Sequence, residues 1–308
     1  MTWISDATVG HLRAVAEWPD FAGTRYEILE EIGRGGMGTV FRGRDRDLDR
    51  DVAIKVAGWS GESSEGRLRQ EARVLAALEH PGIVPVHECG RLPDGRAYYV
   101  MLLVKGDRLH DRITRLPNLA DRLRLFDRIC DIVAFVHARG IVHRDLKPAN
   151  IMIGAFGEVL VLDWGLAQSA DPSGEIHTTP GREAAGAGTE GYMAPEQAAG
   201  RADCRSDVYS LGGVLRDLSA GLNTGGSAKM RPLASIVRRA AEANPDARYQ
   251  SVAALAADVR QFVDGGRVSA HHEGPLERAG RLARAYRTPL ALVLAYLAMR
   301  VLLIWLSR

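Results

Sequence analysis

The sequence predicts an α+β fold of two lobes, strand-rich first and helical second, followed by a separate apolar helix near the C-terminus. Three observations predict it. Between Tyr26 and Tyr99, short alternating or compact apolar runs are broken by turn residues around one helical pattern. Beyond residue 108, apolar residues recur mainly at helical spacing, and residues 290–306 are apolar except for Arg300. A chain of 308 residues has room for one large domain or two small ones with appendages, and it can bury a core without metal or disulfide staples. With 46% hydrophobic and 25% charged residues it is not collagen-like, a coiled coil or wholly disordered.

Residues 1–25 lack a clear period and are read as an N-terminal extension. Residues 26–264 form the main domain, its strand-rich lobe covering 26–104 and its helical lobe 105–264. In the first lobe YEILEEIG leads into a glycine cluster, GTVFRGRD alternates, and DVAIKVAG is a compact apolar run. The stretch EGRLRQEARVLAALEH places Leu68, Ala72, Leu75 and Leu78 on one helical face and stops at Pro81. GRAYYVMLLVKG reads as a further strand. In the second lobe Leu123, Phe126, Ile129, Val133 and Val136 predict a long helix with Gly140 as its C-cap. Short strands follow near Ile151–Ile153 and Val159–Leu162, then a long loop over 168–188, then helices from Glu196 to about Val263. Residues 264–275 have linker composition, and 265–288 as a whole form a basic segment before the apolar helix at 289–306.

Charge and cysteine content narrow the function. The net charge is +2, yet residues 265–308 carry seven Arg against two Glu, leaving 1–264 at −3. A main body with that balance is not expected to bind nucleic acid, which requires many phosphate contacts. Cys89, Cys130 and Cys204 are scattered and odd in number, as in a reducing compartment. Met1-Thr2-Trp3-Ile4 opens no basic and apolar leader, so no signal peptide is expected. Of 40 basic residues only Lys55, Lys105, Lys147 and Lys229 are lysines, which draws attention to each.

Three strings carry chemistry. Gly33-Arg34-Gly35-Gly36-Met37-Gly38-Thr39-Val40 is a G-x-G-x-x-G-x-V between two strands. Glycines let backbone N–H groups approach phosphate oxygens. Alone the string suits a glycine-rich hairpin as well, and its strand-turn-strand setting argues against a dinucleotide fold. Val52-Ala53-Ile54-Lys55 ends an apolar strand in a Lys whose charge needs a partner, and Glu71 on the following helix is the obvious one. His143-Arg144-Asp145-Leu146-Lys147-Pro148-Ala149-Asn150, followed by Asp163-Trp164-Gly165, is the most specific. Two carboxylates and a carboxamide there can orient or deprotonate a hydroxyl and hold Mg²⁺ against phosphates, while Lys147 offers positive charge to a moving phosphoryl group.

With these strings in this order, the sequence resembles the eukaryotic-like protein serine/threonine kinases found in bacteria, from about Tyr26 to Val263. The resemblance implies the two-lobed protein-kinase fold, ATP and Mg²⁺ as cofactors, and protein substrates with Ser or Thr acceptors. It implies that Ile32, Gly33, Arg34, Gly35, Gly36, Met37, Gly38, Thr39 and Val40 cover the phosphates. Ala53, Met101 and Leu103 would then border the adenine, with Met101 as gatekeeper and Leu102 to Val104 as hinge. Lys55 would contact phosphate and pair with Glu71, Asp145 would be the base, and Asn150 and Asp163 would hold the metal. Lys147 and Thr189 match the serine/threonine branch. Glu196 is expected to pair with Arg248, and Asp207 to brace the catalytic loop. Arg144 suits a phosphorylated activation loop, whose candidate hydroxyls are Ser169, Ser173, Thr178 and Thr179.

Departures from the family pattern also carry expectations. Trp164 stands where Phe is usual, and Leu102 where an acidic hinge residue is usual. Only about forty residues separate Asp207 from Arg248, so a helix that often docks protein substrates is expected to be missing or reduced. At the C-terminus, ten Leu, Ile and Val within residues 290–306 favour insertion by about −3 to −6 kcal/mol against about +2.5 to +3.5 for the Arg. Arg278, Arg281, Arg284 and Arg287 precede them as a basic face. The expectation is a single-pass cell-membrane protein, its helix in the lipid bilayer and its kinase domain cytoplasmic. The alternative from another class is a membrane-tethered pseudokinase scaffold that binds nucleotide and partners without useful turnover.

Overall fold

The structure is a computed structural model that describes residues 18–35, 38–58, 62–169, 189–221, 227–285 and 287–306. The first lobe is an antiparallel sheet of β1 (Tyr26–Gly35), β2 (Gly38–Asp45), β3 (Arg50–Ala57), β4 (Val86–Arg91) and β5 (Ala97–Leu102), in spatial order β1-β2-β3-β5-β4. β3 is buried on both faces, so its residues divide by the two-residue strand period. Val52, Ile54 and Val56 join Phe21, Tyr26, Phe41, Tyr98 and Val100 in an outer apolar cluster. Ala57 and Tyr99 instead belong to the main core, beneath α1 (Glu62–Ala77). That helix buries Leu68, Ala72 and Leu75, the face expected from its spacing.

Register aligns the inner face. Val40 stands opposite Lys55, Lys55 opposite Tyr99, and Tyr99 opposite Cys89, so these four side chains form one row across the sheet. The β1–β2 connection needs glycine at one point. Gly38 has φ +144°, and a Cβ there would sit 2.1 Å from the Val56 carbonyl oxygen. Gly33 and Gly35 differ: a Cβ on either would meet nothing within 4 Å, because open space lies over this turn.

The second lobe is built on α3 (Leu119–His137), whose buried stripe Leu123, Phe126, Ile129, Val133 and Val136 follows the expected period. Its N-cap Asn118 accepts from the Ala120 N–H at 2.9 Å, and Gly140 beyond its C-terminus takes the left-handed conformation. α5 (Cys204–Ser219) starts with a capping box between Asp203 and Ser206 and runs through the core. α7 (Val252–Val263) packs on α3, and α6 (Ser227–Ala240) packs between α5 and α7. Two short helices complete it, α2 (Leu109–Ile113) and α4 (Pro195–Ala198). Among the described residues α6 is the one α-helix between α5 and Arg248.

Short strands carry the loops that matter. β6 (Gly106–Arg108), β8 (Ile151–Gly154) and β9 (Val159–Val161) form one sheet, and β7 (Ile141–Val142) pairs with β10 (Gln168–Ser169). The string His143–Asn150 fills the gap between β7 and β8, and Asp163 follows β9.

The C-terminal region differs from expectation in two ways. Residues 264–275 are packed against the second lobe: Val268 is 3% exposed, and Ser269 is held by Asp258. α8 (Pro275–Ala285) follows, then α9 (Arg287–Leu306). The expectation of a membrane-spanning helix over 289–306 is corrected. Among the described residues no helix is long and apolar enough to cross a membrane. The stretch from Leu290 to Leu306 rises about 26 Å, short of a hydrocarbon core of about 30 Å, and Arg300 interrupts it.

Candidate active site

Four elements deliver one cluster of charges to the cleft between the lobes. From β3 comes Lys55, from α1 Glu71, and the ammonium donates to both carboxylate oxygens at 2.7 and 2.8 Å. Both residues are buried, so neither charge is tolerable without the other. Burial pulls the ammonium toward neutrality, but Glu71 and Asp163 outweigh it and raise the Lys55 pKa. Asp163 lies 3.6 Å from Lys55 and links the two lobes.

The loop from His143 to Asn150 is held from below. Asp207 on α5 is fully buried and accepts the backbone N–H groups of His143 and Arg144, each at 2.9 Å, and His137 Nε2 at 2.8 Å. Burial disfavours its charge, yet the His137 hydrogen bond wins and the Asp207 pKa is lowered. These bonds secure an unusual backbone at Arg144, whose φ is +70°; Asp163, on the neighbouring loop, also has a positive φ of +62°. Gln197 adds a bond of 2.6 Å to the Arg144 carbonyl oxygen. His143 Nδ1 accepts from the Asp145 N–H at 3.2 Å, so Nε2 carries the proton and donates to the Leu162 carbonyl at 3.1 Å. His143 is therefore built into the scaffold.

Above that floor, Asp145, Lys147, Asn150 and Thr189 converge. Lys147 Nζ donates to Asp145 Oδ2 at 2.7 Å and to Thr189 Oγ1 at 2.6 Å. Thr189 in turn donates to Asp145 Oδ1 at 3.0 Å. The Asn150 amide nitrogen donates to Asp145 Oδ2 and to its carbonyl oxygen, at 3.0 and 2.8 Å. Its Oδ1 is thereby the end turned elsewhere. The Leu162 N–H donates to the Asn150 carbonyl at 2.8 Å, which puts the Asp163 loop directly beside Asn150.

This donor set suits Mg²⁺. Asn150 and Asp163 offer hard oxygen ligands, and among the described residues no cluster of three His, Cys, Asp or Glu could hold a metal. Two protein ligands fit a cation that shares its shell with water and phosphate. The chemistry available is proton acceptance by Asp145, with Lys147 neutralising charge next to it.

The remaining expected positions are placed as follows. Ala53 stands opposite Met101 in the β3–β5 register, and Leu102 is exposed while Leu103 is half-buried. Ile32, Gly33, Arg34 and Gly35 end β1, and Gly38, Thr39 and Val40 begin β2; Gly36 and Met37 lie outside the described residues. So do Ser173, Thr178 and Thr179. Trp164 is 1% exposed, and its indole N–H donates to the Val161 carbonyl at 3.1 Å, so the bulkier ring is accommodated. Glu196 receives Arg248 at 2.6 and 2.7 Å. Sequence reasoning missed Tyr99, His137 and Gln197. Of these only Tyr99 had a usable signal, its place on the strand neighbouring that of Lys55.

A model of the protein kinase domain matches residues 26–265. The serine/threonine-protein kinase PknB of Mycobacterium tuberculosis is 38% identical over 304 residues, covering 88% of this chain and 47% of the relative. PknD of Chlamydia caviae is 33% identical over 295 residues, with 78% and 31% covered. The DNA damage-responsive serine/threonine-protein kinase RqkA of Deinococcus radiodurans is 41% identical over 207 residues, with 64% and 30% covered. The chain spans less than half the length of each of these relatives.

Proposed function

The chain belongs to the protein kinase domain family, and on that premise we propose that it transfers the γ-phosphoryl group of ATP to Ser or Thr hydroxyls of protein substrates. The observation that carries this reading is the convergence of Asp145, Lys147 and Thr189 within hydrogen-bond distance of one another. Asp145 accepts the proton of the acceptor hydroxyl, and Lys147 stabilises the charge that develops beside it. Lys55, fixed by Glu71, orients the nucleotide phosphates. Asn150 and Asp163 are the residues that would hold Mg²⁺, which when bound neutralises phosphate oxygens. The open space over Gly33 and Gly35 gives phosphates room against backbone N–H groups. The scaffold alternative has no feature in its favour at this site, where every one of these side chains is in place.

The C-terminal helix supports a second, separate element of the proposal, contact with a lipid bilayer. Leu292, Val293, Tyr296, Leu297, Met299, Leu302, Leu303 and Trp305 are all more than half exposed, too large an apolar surface to leave in water. The arginines that precede it favour an anionic surface. Co-sedimentation of the full chain with anionic vesicles, lost on truncation after Ala285, tests this element.

For the activity, the full chain is incubated with γ-labelled ATP, Mg²⁺ and a Ser/Thr-containing basic protein, beside its Asp145→Asn variant. Label on Ser or Thr from the parent alone is the expected result. No transfer by the parent, with nucleotide still bound, overturns the reading.

A further inference from the structure

Glu71 holds one more hydrogen bond than its pairing with Lys55 requires. Oε1 also accepts the hydroxyl of Tyr99 at 3.0 Å, and Glu71 and Tyr99 are each 2% exposed. Tyr99 stands directly opposite Lys55 in the β3–β5 register, so both side chains rise from the same face of the sheet toward α1. β5 lies between β3 and β4, a paired strand on both sides, which makes it a fixed platform.

We propose that Tyr99 is a positioning residue for Lys55, its hydroxyl acting as an uncharged latch that keeps Glu71, and so α1, turned into the cleft. The inference deepens the proposed phosphoryl transfer and rests on that reading.

The argument concerns competing demands on one ammonium group. Lys55 has three N–H donors. It already serves both oxygens of Glu71 and lies 3.6 Å from Asp163, and in the proposed reaction it also serves nucleotide phosphates. With two of the three donors on Glu71, every phosphate contact beyond the third donor is one withdrawn from Glu71. A buried carboxylate losing its donors is costly, and the simplest relief is for α1 to carry Glu71 outward to water. The Tyr99 hydroxyl meets no such competition, for Glu71 is its hydrogen-bond acceptor and the proposed reaction asks it to serve no phosphate. Burial, and then the negative charge of Glu71, hold the phenol pKa well above 10, so the donor keeps its proton throughout the neutral range. The ring also brings little rotamer freedom to lose, which makes the latch stiff.

Tyr99→Phe removes the hydroxyl and keeps the ring. The expected result is a kcat about tenfold lower with a KM for ATP within about twofold of the parent. The decisive readout is the double-mutant cycle with Glu71→Ala, which removes the acceptor that Glu71→Gln would keep. A latch acting through Glu71 loses its effect in that background, whereas a hydroxyl that acts by another route keeps it, and a ring that merely fills the core gives no effect in either. Hydrogen exchange of the α1 amides in the full chain, with a non-hydrolysable ATP analogue bound, supplies an activity-independent reading, and Tyr99→Phe is expected to speed it. An unchanged kcat together with unchanged exchange overturns the inference, as does an equal kcat loss with and without the Glu71 carboxylate. Should the parent transfer no phosphate, the proposed function falls while exchange alone decides the latch: faster in Tyr99→Phe supports it, unchanged overturns it.

Discussion

Arg248 grips Glu196 through two parallel hydrogen bonds of 2.6 and 2.7 Å, although the two residues are 52 positions apart. The guanidinium is fully buried, and its other N–H groups donate to the carbonyl oxygens of Glu242, Arg205 and Ala243. All five donors are thereby used. Burial opposes the charge on Glu196, but Arg248 and Ser206 overcome it and lower its pKa. The pair anchors α4, just after the segment that presents Thr189, to the helical lobe. Arg248→Ala leaves a half-buried carboxylate with no cation and only the Ser206 hydroxyl, and is expected to cost about 3 kcal/mol in denaturant unfolding. Arg248→Lys recovers little, because a point charge cannot supply a planar fork of donors. A loss below about 1 kcal/mol for either variant contradicts this account.

Beneath the catalytic loop, stability should depend on alkaline pH. Burial by itself would lower the His137 pKa, but the hydrogen bond to Asp207, helped by Cys204, raises it from 6.5 to about 9. A histidine raised in the fold stabilises fully below its unfolded value, and that stability is lost as pH climbs through about 9. Asp207 is shifted the other way, so its contribution is present above about pH 4 and lost only in stronger acid. The expected outcome is a decline in unfolding free energy of up to about 3 kcal/mol between about pH 6.5 and pH 9. His137→Gln should flatten that limb. Urea titrations across the range decide it, and a parent curve already flat there speaks against the linkage.

The parts of the site that the sequence made legible are those joined by local rules. Asp145, Lys147 and Asn150 lie within one loop between two short strands, so their order in the chain is nearly their order in space. Glu71 could be found because the helix after Lys55 offers an acidic residue among arginines. Thr189 came through resemblance alone, since no local rule brings it to Asp145 across 44 positions. Tyr99 is legible from register, because a residue opposite Lys55 must share its face, although the hydropathy of its strand does not single it out. His137 had no signal, as its partner is fixed by the packing of α3 on α5. Composition misjudged residues 264–275, where glycines and histidines suggested a free linker while Asp258 captures the backbone. Hydropathy likewise overstated the C-terminal helix, whose apolar length falls short of a bilayer.

Thr189 occupies a bridging position that a hydroxyl alone can fill. It accepts from Lys147 and donates to Asp145 Oδ1 while Lys147 bonds Asp145 Oδ2 directly, so the hydroxyl closes a triangle of hydrogen bonds that holds both charged groups in place. Thr189→Val preserves shape and removes the bridge, and kcat/KM for a protein substrate is expected to fall about tenfold. Thr189→Ser should restore most of it. Phosphate-transfer kinetics on the three proteins test the point, and a Val variant equal to the parent rules the bridge out.

Asp258 on α7 does for the C-terminal segment what Asp207 does for the catalytic loop. Its carboxylate accepts the Tyr249 hydroxyl at 2.7 Å, the Ser269 N–H and hydroxyl at 2.9 and 2.7 Å, and the Ala270 N–H at 3.1 Å. Burial works against its charge, yet the Ser269 bonds prevail and its pKa is lowered. Asp258→Ala strands these four donors together, at a cost of about 2–4 kcal/mol. The segment around Val268 then loses its tie to the lobe before the lobe itself unfolds. Arg267 lies in that segment and reports on it, since trypsin cleaves only backbone that can leave the surface. Cleavage after Arg267 is therefore expected to be at least about tenfold faster in Asp258→Ala than in the parent under native conditions. Equal cleavage rates would mean that Val268 and α8 hold the segment without the carboxylate.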